Sequence, residues 1–93
     1  MYKNLDPLLH APLRLAIVSH LMPHTKASFK ELKQNTSANA GNISVQLNKL
    51  EEADYLRIEK SFLDNYPLTQ VCLTKKGIKA FEAYVEALKK YIF

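Results

Sequence analysis

The sequence has few of the residues on which catalytic and metal sites depend. Its 93 residues include one cysteine, Cys72, and two glycines, Gly41 and Gly77. A single cysteine cannot form a disulfide within the chain or supply the paired thiolates of a metal-sensor site within one subunit. Two separate glycines cannot form a glycine-rich phosphate loop. We therefore expect no cofactor and no bound metal.

Long apolar runs are also missing. No stretch approaches the ~20 apolar residues that a transmembrane helix needs, and the first residues lack the apolar segment and cleavage site of a signal peptide. We expect a cytoplasmic protein without a membrane partner. His10, His20 and His24 have no partner at metal-ligand spacing, and nothing arranges serine, histidine and aspartate as a catalytic triad. We do not expect an enzyme.

The composition is that of one small globular domain with a positive charge. Hydrophobic residues make up 47% and charged residues 24%, and 93 residues suffice for one modest core but not for two. The net charge is +4, although only Arg14 and Arg57 among the 13 basic residues are arginines. We predict a single domain over residues 1–93, whose charge suits a phosphate-bearing partner.

The most informative stretch runs from Asn39 to Phe62. Ile43, Leu47 and Leu50 follow one another at helical spacing and predict an amphipathic helix over about residues 40–53. The opposite face is rich in amide, hydroxyl and small side chains, which can pair with base edges in the major groove of DNA. The acidic residues are confined to the C-terminal end of the helix. A recognition helix and an ordinary solvated helix both fit this window.

Five residues on the outer face of that helix are candidates for base contacts. Asn42 and Asn48 can pair with adenine, and Val45 can touch the methyl group of thymine. Nearby lysines are candidates for phosphate contacts, which position a protein on DNA without specifying a sequence. The base-contact candidates are Asn42, Ser44, Val45, Asn48 and Lys49. The phosphate-contact candidates are Lys30, Lys33 and Lys60.

The segment before this helix completes a helix-turn-helix motif. Ser28 and Glu31 have the spacing of a capping box and predict a short helix over about residues 28–34, with Phe29 and Leu32 facing inward. A polar stretch then forms the turn, and either Asn39 or Ser37 caps the following helix. Two short helices joined by a small polar turn are typical of DNA-binding domains.

After the central helix the apolar pattern changes to that of a β-hairpin. Leu56, Ile58 and Phe62 are predicted to share one face of a strand and to oppose Val71 and Leu73 on a second strand. The residues between the strands predict a loop of about five residues. A hairpin is not stable alone, so we expect it to lie against the helices as a wing.

Both ends of the chain carry further apolar residues. Asp6 and Pro7 predict a helix start, and Pro12 predicts that this helix bends or restarts. Thr74 predicts the cap of a last helix with apolar residues at heptad spacing, and we favour its pairing in a homodimer over packing within the chain. The dimer-interface candidates are Leu5, Leu8, Leu9, Phe81, Val85, Leu88 and Ile92.

Four motifs in this order resemble those of the compact winged-helix transcriptional regulators related to the MarR and ArsR families. They are L-D-P-L-L-H-A-P-L-R-L-A-I, F-K-E-L, G-N-I-S-V-Q-L-N-K-L-E-E-A-D-Y-L and L-T-K-K-G-I-K-A-F. The resemblance implies an α+β, mostly α fold with a three-helix core, a two-stranded β-hairpin wing and a long C-terminal helix. It also implies a dimeric DNA-binding repressor or activator. Gly41 to Lys49 would then enter the major groove, and the hairpin tip would reach the flanking backbone or the minor groove.

The chain departs from the family pattern at two places. Asp54 stands where the family has glycine, and we expect it in the left-handed conformation that ends the helix. The hairpin tip, residues 63–68, contains Asp64 and no basic residue, whereas the family's tip is rich in arginine. An acid beside phosphate is repelled, so we expect the wing to contribute little to DNA binding beyond Lys60.

These observations predict a homodimeric, sequence-specific regulator of transcription. Its partner would be a pseudo-palindromic double-stranded DNA site with half-sites about one helical turn apart. The alternative is a winged-helix module that binds another protein and does not bind DNA. A small-molecule pocket lined by tyrosines is a third interpretation, but we prefer core and interface packing for these residues. They are Tyr2, Tyr55, Tyr66, Tyr84 and Tyr91.

Overall fold

The computed structural model describes residues 4–93, which form four helices and one antiparallel sheet. The elements are α1 (Pro12–Leu21), β1 (Lys26–Ser28), α2 (Phe29–Thr36), α3 (Ala40–Glu52), β2 (Leu56–Leu63), β3 (Tyr66–Leu73) and α4 (Lys75–Ile92). The strand order is β1-β3-β2, so β3 is central. The predicted three-helix core, hairpin wing and long C-terminal helix are confirmed. Tyr2 lies outside the described residues.

The core lies between the first three helices and the inner face of the sheet. From α3 it takes Ile43, Leu47 and Leu50, which are at most 2% exposed, as their helical spacing predicted. The other large side chains that are fully buried are Leu9, Ile17, Val18, Leu21, Leu32, Leu56 and Val71. Because one face of α3 is buried in this way, its opposite face is held towards solvent.

The chain before α1 forms a single turn rather than the predicted helix. The Asp6 side chain accepts a hydrogen bond from the Leu8 backbone N–H at 2.9 Å, and the Asp6 carbonyl accepts one from the His10 N–H at 2.9 Å. The helix itself begins at Pro12. Proline has no N–H to continue an earlier helix, so the restart at Pro12 is confirmed and the helix start at Asp6 is wrong.

This first turn is tied to the rest of the domain through Tyr55. The Tyr55 hydroxyl donates to the Asp6 carboxylate at 2.5 Å, across 49 residues of sequence. Burial, followed by the hydrogen bond and the negative charge of Asp6, raises the pKa of Tyr55 to about 12. The unperturbed value is 10.0, so the folded protein holds this proton more tightly than the unfolded chain does.

The Tyr55 contact predicts a loss of stability in alkali. Below pH 10 the hydroxyl is protonated in both states and its contribution is complete; it is lost as the pH rises from about 10 to about 12. Tyr55→Phe should therefore lower stability by about 1 kcal/mol at pH 9 and reduce the further loss between pH 9 and pH 11. Urea unfolding at both pH values measures this. Tyr66→Phe, at an exposed position, should lose as much unfolding free energy between pH 9 and pH 11 as the wild type does. If Tyr55→Phe also lost as much, the contact between Tyr55 and Asp6 would not be the cause of the alkaline loss.

The caps of α2 and α3 follow the sequence. The Ser28 side chain accepts from the Glu31 N–H at 3.0 Å, which confirms the N-terminal cap of α2. The Glu31 carboxylate contacts His20 Nε2 at 2.5 Å rather than returning to Ser28, so only half of the capping box forms. Ser37 ends α2 in the left-handed conformation, and the Asn39 side chain caps α3 by accepting from the backbone N–H three residues later. Asn39, not Ser37, is therefore the cap of α3.

The hairpin turn is tighter than predicted. Asp64 and Asn65 alone connect β2 to β3, both with positive φ (51° and 66°), which is the geometry of a two-residue type I′ turn. Aspartate and asparagine adopt this conformation more readily than other residues apart from glycine. The prediction of a five-residue loop is wrong because strand pairing continues through Phe62 opposite Pro67 and Leu63 opposite Tyr66.

Phe62 is exposed and lies opposite Pro67, not opposite Val71 or Leu73 as predicted. It shares the inner face of β2 with Leu56 and Ile58, because it lies an even number of residues from both. The eight-residue strands extend beyond the helices, however, and the Phe62 side chain is 76% exposed. The predicted alternation of Phe62 with Leu56 and Ile58 is confirmed, whereas its predicted position opposite Val71 and Leu73 is wrong.

A third strand, β1, joins the sheet that was predicted to have two. Its three residues pair with Gln70 to Cys72 on β3, and only Ala27 is buried. Three residues are too few to show a two-residue apolar period, which is why the sequence did not reveal the strand. Cys72, opposite Lys26, is half-buried on the outer face of the sheet.

The start of α4 is fixed to the junction between α3 and β2. The Thr74 side chain accepts from the Gly77 N–H at 3.0 Å, as predicted for a cap, and donates to the Asp54 carbonyl at 2.6 Å. Asp54 has a φ of 64°, which confirms the expected left-handed residue. Over residues 4–93, none of the helices combines the length and apolar character that crossing a bilayer requires.

Candidate nucleic-acid interface

The outer face of α3 presents all five candidates for base contacts. Asn42, Ser44, Val45, Asn48 and Lys49 are each exposed. Val45, 49% exposed, lies nearly opposite the buried stripe and therefore at the centre of the face. No acidic residue occurs in the first three turns of α3, since Glu51 and Glu52 are its last two residues. An anionic backbone can approach this face without meeting a carboxylate.

One flank of α3 faces the wing across a groove. Ser44 and Asn48 line it from α3, and Lys60 and Thr69 line it from the hairpin. The groove has a volume of about 420 Å³, and Phe29, Leu47 and Ile58 form the rest of its lining. The wing therefore places the amine of Lys60 beside two of the base-contact candidates.

The other flank of α3 carries a hydrogen-bonded chain that sequence reasoning missed. Arg14 Nη1 donates to Gln46 Oε1 at 2.6 Å, and Gln46 Nε2 donates to Asn42 Oδ1 at 3.0 Å. Arg14 Nε also donates to the Leu8 carbonyl at 2.6 Å. Asn42 is therefore held on the α1 side of the helix, away from Asn48. The four-residue spacing of Asn42 and Gln46 was the available signal.

The lysines predicted to contact phosphate lie on two elements, α2 and the hairpin. Lys30 and Lys33 line a shallow depression of about 380 Å³ on α2 and the turn that follows it. Lys60 lies in the groove beside α3. In residues 4–93 none of these lysines, nor Lys49, has a carboxylate oxygen within 4.0 Å. Their charges are thus available to an external anion.

Glu51 joins α3 to the wing. Its carboxylate accepts from the Ile58 backbone N–H at 3.0 Å, at the start of β2. This bond fixes the hairpin against the C-terminal end of α3. The Glu51 carboxylate therefore has a structural partner.

The wing tip is apolar and exposed. Phe62, Leu63 and Tyr66 are 76%, 63% and 75% exposed, and Asp64 lies in the turn between them. Residues 61–68 include no lysine or arginine. The tip therefore offers apolar surface where a cationic wing would offer charge.

The residues predicted for a dimer interface differ in their exposure. Leu9 is fully buried in the domain's own core, so its side chain is not available to a partner. Leu5 and Leu8 are half-buried and pack against that core. On α4, Gly77, Tyr84 and Ala87 form the most buried stripe. Beside that stripe, Phe81, Val85 and Leu88 are half-buried, and Ile92 is 62% exposed.

The tyrosines and histidines of residues 4–93 do not gather at one place. Tyr84 is 4% exposed and its hydroxyl is 3.0 Å from His10 Nδ1, whereas Tyr66 lies at the wing tip. His20 contacts Glu31, and His24 is exposed. Within residues 4–93, no three histidine, cysteine or acidic side chains lie close enough to hold a metal ion.

The family of the chain follows from its similarity to known proteins. A family model described as a winged helix DNA-binding domain matches residues 13–92, so the chain belongs to that family. It is therefore a DNA-binding domain of the kind found in transcriptional regulators, and neither the family nor the fold is that of an enzyme.

Individual relatives agree with this assignment. A transcriptional regulator homologue from Pyrococcus horikoshii OT3 has a similar structure, with a TM-score of 0.86 and 28% identity over 91% of this chain and 84% of that one. An uncharacterized protein of Methanocaldococcus jannaschii is 28% identical over 84% of this chain and 85% of its own length. AbfR bound to DNA shares the fold, with a TM-score of 0.73 and 18% identity over 83% of this chain and 56% of that one. The predicted membership of the chain in a winged-helix DNA-binding family is confirmed.

Proposed function

We propose that this protein is a homodimeric transcriptional regulator that recognises a pseudo-palindromic DNA sequence through α3. The observation that carries the proposal is the exposed, acid-free face of the first three turns of α3, together with nearby lysines that have no carboxylate oxygen within 4.0 Å in residues 4–93. In this arrangement the polar face reads bases and the lysines bind phosphates. The base-reading residues are Asn42, Ser44, Val45, Asn48 and Lys49, and the phosphate-binding residues are Lys30, Lys33 and Lys60. Binding to chromosomal DNA would place the protein in the cytoplasm.

The homodimer is proposed to form through α4. Phe81, Val85 and Leu88 are only half-buried in one copy, and Ile92 and Phe93 are 62% and 94% exposed. A second copy would remove this apolar surface from water. Two-fold symmetry would then present two copies of α3 to half-sites about one helical turn apart on DNA.

A second candidate function is binding to another protein without binding DNA. The apolar wing tip formed by Phe62, Leu63 and Tyr66 favours it, because exposed apolar patches mark protein interaction surfaces. The absence of a cation in residues 61–68 agrees with this alternative. We prefer DNA binding because the first three turns of α3 contain no acidic residue and Lys60 lines the groove beside them.

The first experiment measures affinity for a random DNA duplex of about 30 base pairs across a salt series, with sedimentation of the free protein alongside. The proposal predicts a dimer whose log affinity falls linearly with log salt, with a slope of about −4 to −7 if it neutralises roughly four to eight phosphates. A protein that shows no binding at low salt would favour the second candidate. If the protein binds DNA as a monomer, the proposed homodimer is wrong and the proposal of DNA binding stands.

Two alanine variants should separate base contacts from phosphate contacts. Asn48→Ala should weaken binding to the preferred site by about 10-fold and to random DNA by much less, because a base contact is worth about 1–3 kcal/mol of discrimination. Lys33→Ala should weaken both by the same factor and reduce the salt slope by about 1. Titration of both duplexes with each variant tests this. Equal losses on both duplexes for both variants would remove the assignment of Asn48 to base reading.

A further inference from the structure

The hydrogen-bonded chain from Arg14 to Asn42 has a fixed direction. Arginine carries five N–H donors and no acceptor, so the Gln46 amide must present its oxygen to Arg14, at 2.6 Å. The nitrogen of the same amide then faces Asn42, where Nε2 donates to Oδ1 at 3.0 Å. The Leu8 carbonyl holds the guanidinium in place from the other side at 2.6 Å. Arg14 therefore determines the orientation of the Gln46 and Asn42 side-chain amides.

This direction limits what Asn42 offers to a partner. Its Oδ1 is turned towards Gln46, and its Nδ2, with two hydrogens, forms the remaining polar end of an exposed side chain. Pairing with adenine requires an asparagine to accept from N6 with its oxygen while it donates to N7 with its nitrogen. With one lone pair of the oxygen occupied and the oxygen turned towards Gln46, Asn42 presents its two N–H donors to a partner.

We propose that Arg14 and Gln46 make Asn42 a donor-only reader that selects guanine. Guanine presents two adjacent acceptors, O6 and N7, in the major groove, whereas adenine places an amino donor beside its single acceptor. Thymine offers one acceptor and cytosine offers a donor. This inference rests on the proposed function, since it requires that Asn42 face a base. It replaces the adenine pairing that the sequence predicted for Asn42.

Arg14 and Gln46 are positioning residues in this proposal, and two variants remove their effect differently. Arg14→Met keeps the apolar stem but removes the donors, so the Gln46 amide can turn over. Gln46→Glu still accepts from Arg14 but cannot donate to Asn42. Either change releases the Asn42 oxygen and allows it to pair with adenine.

The test begins with selection of the preferred duplex by the wild-type protein. The Asn42→Ala variant is then compared with the wild type at each position of this duplex. The base pair that Asn42 contacts is the one at which the variant no longer discriminates between bases. At that position the wild type should prefer guanine to adenine by about tenfold, and Arg14→Met and Gln46→Glu should each reduce this ratio to about twofold or less. Lys33→Met removes a positive charge without touching the amides, and it should weaken binding to all four bases alike and leave the ratio unchanged. Circular dichroism confirms that each variant is folded.

The outcomes separate this inference from the proposed function. If the wild type binds no duplex, or all duplexes equally, the proposed function fails. If it binds a specific site but Asn42→Ala alters no position, or the position that it alters prefers adenine, the donor-only reader is wrong while the function stands. A guanine preference that both folded variants retain in full would also overturn the role of Arg14 and Gln46.

Discussion

Replacing Gly77 by alanine is expected to destabilise the domain by about 2–3 kcal/mol. A Cβ at this position would lie 2.0 Å from the Tyr55 carbonyl oxygen and 3.0 Å from Leu73 Cδ1. The carbonyl cannot move aside cheaply, because it accepts from the Thr74 N–H at 3.1 Å. Thermal unfolding should show a midpoint lower by roughly 10–20 °C.

Gly41 provides a matched control within another helix. A Cβ there would meet only Asn39 Oδ1, at 3.5 Å, which is an ordinary contact. Gly41→Ala should therefore be neutral or stabilising by up to about 1 kcal/mol, since alanine favours the helix over glycine. If Gly77→Ala were as stable as Gly41→Ala, the close approach of α4 to Tyr55 would be wrong.

Val45→Glu is expected to abolish tight DNA binding while leaving the fold intact. Val45 is the central residue of the polar face and is 49% exposed, so the larger side chain fits without disturbing the core. A carboxylate at this position would face the polyanion directly, and juxtaposed like charges at an interface cost several kcal/mol. We expect a loss of at least about 100-fold in affinity for every duplex, or about 2.7 kcal/mol.

Fluorescence anisotropy with labelled duplexes measures this loss. Ala83→Glu adds the same charge at an exposed position on α4, far along the chain from the proposed interface, and should reduce affinity by less than about threefold. Val45→Gln, which adds similar bulk without charge, should fall between the two. Full binding by Val45→Glu would show that DNA does not approach the outer face of α3.

The parts of the fold that depend on local sequence were predicted correctly. Ile43, Leu47 and Leu50 defined the buried face of α3, and Ser28 and Thr74 identified helix starts, because a helical stripe and an N-cap each involve residues a few positions apart. The same local information placed all five base-contact candidates on the exposed face of α3.

The errors fall where distant segments meet. Arg14 and Gln46 are 32 residues apart, and no periodicity indicates that they touch. The two-residue turn is a local exception, and it was misjudged because Asp64 and Asn65 form it without a glycine. The burial of Leu9 and the exposure of Phe62 depend on where the helices end relative to the sheet. These are properties of packing, which a single sequence does not display.

The register of the hairpin has a consequence for aggregation. A two-residue turn is closed by a hydrogen-bonded pair, here Leu63 and Tyr66, so the next pair, Phe62 and Pro67, directs its backbone groups outward. Proline at position 67 therefore removes no hydrogen bond between β2 and β3. Since β1 covers only Gln70 to Cys72, this edge of β3 would otherwise be open to a strand from another molecule, next to an apolar tip. Pro67 removes the N–H that such a strand would need, so this edge of β3 does not serve as a template for cross-β stacking beside the exposed aromatic surface.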